Sequence, residues 1–325
     1  MPGETFNWTE DAHAVGVYYN HQLSKKLLEN ALPPCIVNQF VHDHGFGFKK
    51  QAGETVNMMH ITELPDANSA GLAEDDQFPI HKPAFGNRSL TLKEYGEGVQ
   101  STELMKVLSV FNPDDILQKG LRRQMERALD TMAANAFKDP TAVKVCFIPT
   151  SRSGGVWDVD GTPSTVATSA LTLDHCKKIS AYMRDILHVP YYENENYVGL
   201  SSNTNIESLL DDPRAERWQQ YGAKMDFMYR GEMCMTYKIR WVETNRPGAF
   251  SNTAGSSALI GESVVFGDEA VARIEALAPH LRLSANYQGR FGTKQAVAWY
   301  AILAYGSVWA TANDGQAKIV RITSA

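Results

Sequence analysis

The chain has 325 residues, 43% hydrophobic and 21% charged, with a net charge of −6, the make-up of a globular protein long enough for one large or two modest domains. No run of about 18 apolar residues occurs, which excludes a membrane-spanning helix. The acidic balance argues against a dedicated DNA-binding protein, which needs a basic face for phosphate contacts, but not against a container that only encloses nucleic acid.

Residues 1–40 are polar and irregular, with a short helical possibility from Tyr18 to Ala31 ended by Pro33-Pro34. They read as an arm that finds its order on other molecules. The opening residues lack the basic-then-apolar order of a signal peptide. From Gly47 to Thr62 the chain reads as paired strands with a turn at Lys50-Gln51-Ala52-Gly53, and Val56, Met58 and His60 alternate with Asn57, Met59 and Ile61. Leu64 to Arg88 is a proline-broken, acidic excursion. Strand character resumes at Ser89 to Tyr95, where Leu90 and Leu92 share a face. The whole makes an extended hairpin, too long to be stable alone in water, that must lie on something.

The clearest element follows. Asn112 reads as a helix cap, Pro113 as the first turn, and Asp114 and Asp115 as acids at the positive dipole end. Leu117, Leu121, Met125, Ala128, Met132 and Ala136 form one apolar stripe, with Arg122, Arg123, Glu126 and Arg127 opposite, and Asp139-Pro140 stops the helix. At 1.5 Å per residue it is roughly 40 Å long.

Val143 to Ile148 reads as a buried strand and Thr150 to Ser169 as a loop. Thr172 caps a helix running to about His188, Tyr191-Tyr192 and Tyr197 to Leu200 read as strand, and a further helix is expected around Thr204 to Tyr221. Strands return at Met233 to Glu243, at Ser263 to Phe266 and from Leu281 onward, with Ala296 to Ala312 as a buried stretch. The order is α+β, not the regular alternation of a doubly wound nucleotide fold.

No catalytic constellation emerges, so no catalytic, cofactor-binding or metal residue is assigned and no cofactor is expected. Gly45-Phe46-Gly47 and Gly96-Glu97-Gly98 lack the third glycine and the strand–helix context of a dinucleotide loop. Gly255-Ser256-Ser257 lacks the second glycine of a nucleophile elbow. In His42-Asp43-His44 two imidazoles share a strand face, but no third ligand has motif spacing to them, and solvated or interface histidines are the reading. Asp158-Val159-Asp160-Gly161 hints at a calcium loop without its later bidentate Glu. Glu74-Asp75-Asp76 reads as a solvated loop tip and Asp211-Asp212-Pro213 as a turn. Cys35, Cys146, Cys176 and Cys234 are scattered, which points to reduced, mostly buried thiols of a cytosolic product.

Six segments in order resemble the major coat proteins of tailed bacteriophages with the Hong Kong 97-type fold, in the branch typified by the coat protein of phage N-four. Lys49 to Val56 is similar to the family's entry into an extended loop, and Leu90 to Gly96, followed by Val99 and Thr102, to its exit. The helix from Asn112 to Lys138, with Leu129-Asp130 inside it, stands at the position of the family's spine helix. Pro190 with Tyr197-Val198, Gly231-Glu232-Met233 with Arg240 to Thr244, and Val265-Phe266-Gly267 complete the series. The resemblance runs from about Phe48 to the C-terminus; the excursion is longer and more acidic than the family's loop, and Met233 and Trp241 stand where Ile and Phe are usual.

The resemblance implies an N-terminal arm over 1–45, an extended loop over 46–100, a peripheral domain with the spine helix over 101–142, an axial domain over 143–270 and a return to the peripheral domain over 271–325. It implies a non-enzymatic subunit that assembles with itself as hexamers and pentamers into an icosahedral virion head around double-stranded DNA, without sequence-specific binding and without a membrane. Assembly would take place in the host bacterial cytoplasm. Portal, and possibly scaffolding and decoration proteins, are the implied partners. No scaffolding-like helical prefix precedes the arm, so mature subunits are expected to begin near Met1, with a separate scaffolding protein or none. An encapsulin-like shell around cargo protein is the alternative of the same fold, and a hydrolase with an unrecognised site the alternative of a different class.

Overall fold

The computed structural model describes residues 35–44, 54–61, 64, 77–78, 80–83, 85–108, 113–141, 143–214, 229, 232–244, 246, 249–250, 261–283, 294–307, 309 and 317–324. The arm before Cys35, the turn at 50–53, the loop tip at 74–76, the helix cap at Asn112 and the serine loop at 255–257 lie outside them, as do Gly45-Phe46-Gly47 and residues 215–221 of the expected second helix.

A short 3-10 turn, Val37–Phe40, leads into β1 (His42–Asp43). The hairpin strands β2 (Thr55–Ile61) and β3 (Phe85–Thr91) follow, then β4 (Lys93–Thr102), the short helix α1 (Glu103–Leu108) and the long helix α2 (Pro113–Lys138). Next come β5 (Val145–Pro149), β6 (Gly155–Asp158), α3 (Leu173–Asp185), β7 (Tyr197–Ser202) and α4 (Asn203–Leu210). The chain ends through β8 (Glu232–Thr236), β9 (Ile239–Thr244), β10 (Glu262–Phe266), β11 (Ala272–Leu283), β12 (Lys294–Gly306) and β13 (Ile319–Thr323). Among the described residues, no helix is long and apolar enough to cross a membrane.

The body is built on a seven-stranded mixed sheet in the order β6-β5-β13-β10-β7-β9-β8. Its central strands are buried on both faces and read as unbroken apolar runs, as in Val264-Val265-Phe266. On one face Val145, Phe147, Trp241, Val265, Val320 and Ile322 pack against Leu173, Cys176, Ile179 and Met183 of α3 and Ile206 and Leu209 of α4. On the other, Val198, Leu200, Val242, Val264, Phe266 and Ile319 meet Ala133, Ala134 and Phe137 of α2, with Val37 and Phe40. Thr172 caps α3 as expected, in a reciprocal pair with His175 three residues on.

A second sheet runs β1-β11-β12-β4. Here α2 lays its stripe on β12: Leu121 and Leu129, flanked by Met125, Ala128 and Met132, bury against Val297, Trp299, Ala301 and Leu303. The single helix therefore joins both layers. From Leu121 to Leu129 the stripe packs on β12, and from Asp130 onward the opposite side of the helix is buried too, by the Val37–Phe40 turn and the seven-stranded sheet.

Three local details differ from the sequence reading. Tyr191 and Tyr192 are not in a strand; they lie in a loop closed by a single Glu193–Asn196 bridge. Residues 233–243 form a hairpin, β8 and β9, turning at Tyr237-Lys238 with φ of 45° and 65°. The strand after the excursion begins at Phe85, four residues before the expected Ser89, because Gly86 faces His60 in the ladder and its missing side chain makes room for the imidazole ring.

Candidate assembly surfaces

The β2–β3 hairpin is paired from Thr55↔Thr91 to Ile61↔Phe85, and its two faces have different fates, as strand geometry requires. The inner face, Val56, Met58 and Leu90, continued by Leu92, packs on Ala272 and Ile274 of β11 and Ala304 of β12. Leu90 sits over Gly306, where a β-carbon would collide with it. Farther out, the His60 ring lies 5.0 Å from that of Trp309, which in turn carries the Lys318 ammonium at 4.2 Å. The base of the hairpin is thus held to the body by side chains, while Leu92 N–H donates to the Glu54 carbonyl to close the hairpin itself.

The outer face is open, polar at Thr55, Asn57, Asn87, Ser89 and Thr91 and apolar toward its far end. Met59 is 78% exposed, and Ile61 and Phe85 follow it on the same side. Phe78 and Ile80, between the strands, are 81% and 90% exposed. The six-residue helix α1 presents a second apolar surface, with Leu104, Val107 and Leu108 all largely exposed at the three- and four-residue spacing that shares a helix face. Single exposed apolar residues are ordinary, but large ones gathered on one hairpin face and one helix face mark interaction surfaces.

Behind these surfaces the polar groups are tied into fixed pairs. Asp130, inside α2 and fully buried, accepts from Arg246 Nη1 at 2.7 Å and from the Asn38 backbone N–H at 3.0 Å. Arg246 also donates to the Arg127 carbonyl at 2.5 Å and to Thr131 Oγ1 at 2.8 Å. Three segments distant in sequence are fastened at one point. Glu262 is buried between Arg321 at 2.8 Å and Lys138 at 3.7 Å, and burial pushes the Lys138 ammonium below its ordinary value. The Arg214 guanidinium grips Asp174 with two hydrogen bonds and Asp212 with two more, and these bonds hold both carboxyls below the usual carboxylate range. The turn at Asp211-Asp212 is therefore tied to the start of α3 through Arg214, which bridges Asp212 and Asp174.

The groups singled out from sequence do not converge. His42 and His44 do stand together, with ring centroids 4.9 Å apart, but Asp43 turns to Arg273, accepting two hydrogen bonds at 2.6 and 2.8 Å. Burial, then the neighbouring His42, pushes the His44 imidazole below its ordinary value. Asp158 accepts from Ser164 N–H and Oγ, and Asp160 from Thr162 N–H, so both acids brace their own loop. Gly96 and Gly98 lie within β4, paired with Tyr300 and Ala298. Among the described residues, no three His, Cys, Asp or Glu side chains are gathered as a metal site. All four cysteines are free thiols. Burial pushes Cys146 and Cys234 up to about 11 and Cys176 to about 12. Sequence reasoning missed Arg246 and Asp130 as partners: 116 residues separate them, and only burial of an acid within a helix pattern could have hinted at the pair.

The fold, with a long helix bridging two sheets and a hairpin projecting its apolar face, is that of the major capsid proteins of tailed phages. The cyanophage Pam1 capsid matches with a TM-score of 0.67 at 15% identity, over 100% of this chain and 99% of that one. The capsid of Ralstonia phage GP4 matches with a TM-score of 0.67 at 12% identity, over 99% and 98%. The capsid of Helicobacter pylori bacteriophage KHP30 follows at 0.63 and 10% identity, over 100% and 99%. No protein-family model matches the sequence, and no curated protein does.

Proposed function

We propose that this chain is the major capsid protein of a tailed bacteriophage, assembling with itself as hexamers and pentamers into an icosahedral head around double-stranded DNA. The observation that carries the reading is the end-to-end match to phage capsid chains, over 100% of this chain and 99% of the Pam1 chain. The exposed apolar faces of the hairpin and α1 supply a physical reason for assembly: they are costly in a monomer and favourable once buried on a neighbour. In this reading residues 1–45 are an arm and 46–100 the extended loop. Residues 101–142, rejoined by 271–325, are the peripheral domain, and 143–270 the axial domain. Portal and, where present, scaffolding and decoration proteins complete the head, which forms in the host bacterial cytoplasm. The subunit contributes surface rather than chemistry, and its polar groups are engaged in structural pairs such as Asp130–Arg246.

Sedimentation and electron microscopy of the expressed chain test this. Closed particles, or rings of five and six subunits, support the reading. A protein that stays monomeric at high concentration, alone and with the other head proteins encoded beside it, would overturn it.

A further inference from the structure

Strand β1 is short, yet both histidines that flank Asp43 are fixed by their backbone. His42 N–H donates to the Val271 carbonyl at 2.9 Å and His44 N–H to the Arg273 carbonyl at 3.0 Å. Two residues apart on extended backbone, the imidazoles stand on one side of the chain, with ring centroids 4.9 Å apart. Asp43 gives its carboxylate to Arg273, and Glu275 meets the same guanidinium at 3.1 Å, so that arginine's charge is compensated. Glu269, in the turn before β11, adds negative charge near His44, with the Lys318 ammonium 3.9 Å from it. His42 is exposed and His44 half-buried, which leaves the pair open to solvent.

A divalent transition-metal cation bonds an imidazole nitrogen at about 2.1 Å, which sets it about 3.2 Å from the ring centroid. At the angles of about 90–110° found in octahedral and tetrahedral sites, two such rings have centroids about 4.5–5.2 Å apart. The observed 4.9 Å lies inside that window. Each ring has two nitrogens, so one can bind the cation while the other keeps a hydrogen bond. Because β11 holds both backbones in register, binding immobilises only two side chains. Imidazole suits zinc, nickel and copper, whereas magnesium and calcium take oxygen ligands. Among the described residues no third His, Cys, Asp or Glu completes the group, so water fills the remaining positions.

We propose that His42 and His44 form a two-imidazole chelate for a divalent transition-metal cation of the zinc, nickel or copper class, at the outer edge of the second sheet. One subunit carries both ligands, so the inference does not rest on the shell reading above. The cation is structural: it fastens the two side chains to each other and stiffens the strand that follows the Val37–Phe40 turn. Two protein ligands make a reversible site, unlike the four-ligand sites that hold structural zinc.

Isothermal titration calorimetry of the purified subunit with zinc chloride, in a buffer that does not bind metal, reads the site directly. One zinc per subunit is expected, and magnesium does not compete for it. Losing a supporting partner of a metal ligand costs about 10–100-fold in affinity, so losing the ligand itself, in His42→Gln or His44→Gln, costs at least about tenfold. His188→Gln, which removes an exposed histidine elsewhere, keeps the full affinity. Zinc at about 100 times its dissociation constant shifts the folding equilibrium about 100-fold toward the native state, and at the same concentration about tenfold or less in either ligand variant. A measurement on the unaltered chain guards against variants that fail to fold: zinc protects the peptide carrying His42 and His44 from diethyl pyrocarbonate, read by mass spectrometry. The proposal is overturned by the absence of zinc binding up to millimolar concentrations, or by affinity that both ligand variants keep. It is equally overturned by a matching loss in His188→Gln, or by labelling of the His42–His44 peptide that zinc leaves unchanged.

Discussion

Replacing Asp130 with Ala removes the carboxylate that, among the described residues, alone pairs with Arg246, in a site where both side chains are nearly water-free, 1% and 8% exposed. The Arg246 guanidinium keeps the Arg127 carbonyl and Thr131 hydroxyl as acceptors, but its charge is left uncompensated, and the Asn38 N–H loses its acceptor. Breaking a buried pair from one side costs about 3–5 kcal/mol, a large share of the 5–15 kcal/mol that holds a typical domain. Replacing both residues together, Asp130→Leu with Arg246→Met, removes the charge as well as its partner. It should be less harmful than either single change, because the desolvation penalty disappears with the pair. Urea unfolding of the purified subunit, followed by circular dichroism, measures the cycle. The expected coupling is at least 2 kcal/mol, about the upper half of the range for side chains in one network. A cost below about 1 kcal/mol for Asp130→Ala, or single effects that simply add, would refute the account of this junction as a coupled buried pair.

Three further outcomes follow from the same structure. His175 accepts the Thr172 N–H on Nδ1 and donates from Nε2 to the Ser151 and Gly154 carbonyls, and burial lowers its pKa below the ordinary 6.5. The folded state therefore binds that proton less well than the unfolded chain: the stabilisation is complete above 6.5 and is lost as pH falls from there through the lowered value. His175→Gln, which can keep the cap, should flatten the fall in melting temperature between neutral and mildly acidic pH; an unchanged slope would place the titration elsewhere. Native protein treated with iodoacetamide should be labelled at Cys35 at most, since burial keeps Cys146, Cys176 and Cys234 as thiols, and all four should react in denaturant; mass spectrometry reporting modification of Cys176 in folded protein would contradict the core assignment. His188, in the loop three residues past the end of α3, has φ of 49° and an exposed side chain, so His188→Gly should stabilise by about 1 kcal/mol by removing left-handed strain, and a lowered melting temperature would show that the imidazole makes a contact worth more.

What could be seen in the sequence was local. The long helix announced itself through Pro113, the stripe from Leu117 to Ala136 and the stop at Asp139-Pro140, and the structure has it at Pro113–Lys138. Thr172 marked a helix start, and the period of two from Val56 to Ile61 marked the first strand of the hairpin. Tyr237-Lys238 could not be seen as a turn, because neither residue is among those that adopt positive φ readily; the surrounding ladder holds them there. The expected helix to Tyr221 is interrupted after Leu210 at Asp211-Asp212, where Arg214 bonds back to Asp212, and helical backbone resumes at Pro213-Arg214, with residues 215–221 outside the described ones. Long-range facts were out of reach. β13 lies parallel to β5, far earlier in the chain, and nothing in either apolar run names the other. The second buried side of α2, at Ala133, Ala134 and Phe137, was hidden because alanines weigh little in a periodicity argument. For the assembly surfaces, the pattern told which hairpin face is apolar on both sides, Val56 and Met58 against Met59 and Ile61, without telling which one the body covers.

A cryo-electron microscopy reconstruction of the assembled protein tests the central claim most directly. The account requires a closed shell of five- and six-subunit rings in which Met59, Ile61 and Phe85 of the hairpin and Leu104, Val107 and Leu108 of α1 are buried against neighbouring subunits. Particles with these six side chains facing solvent, or a subunit that forms no closed shell, would contradict it.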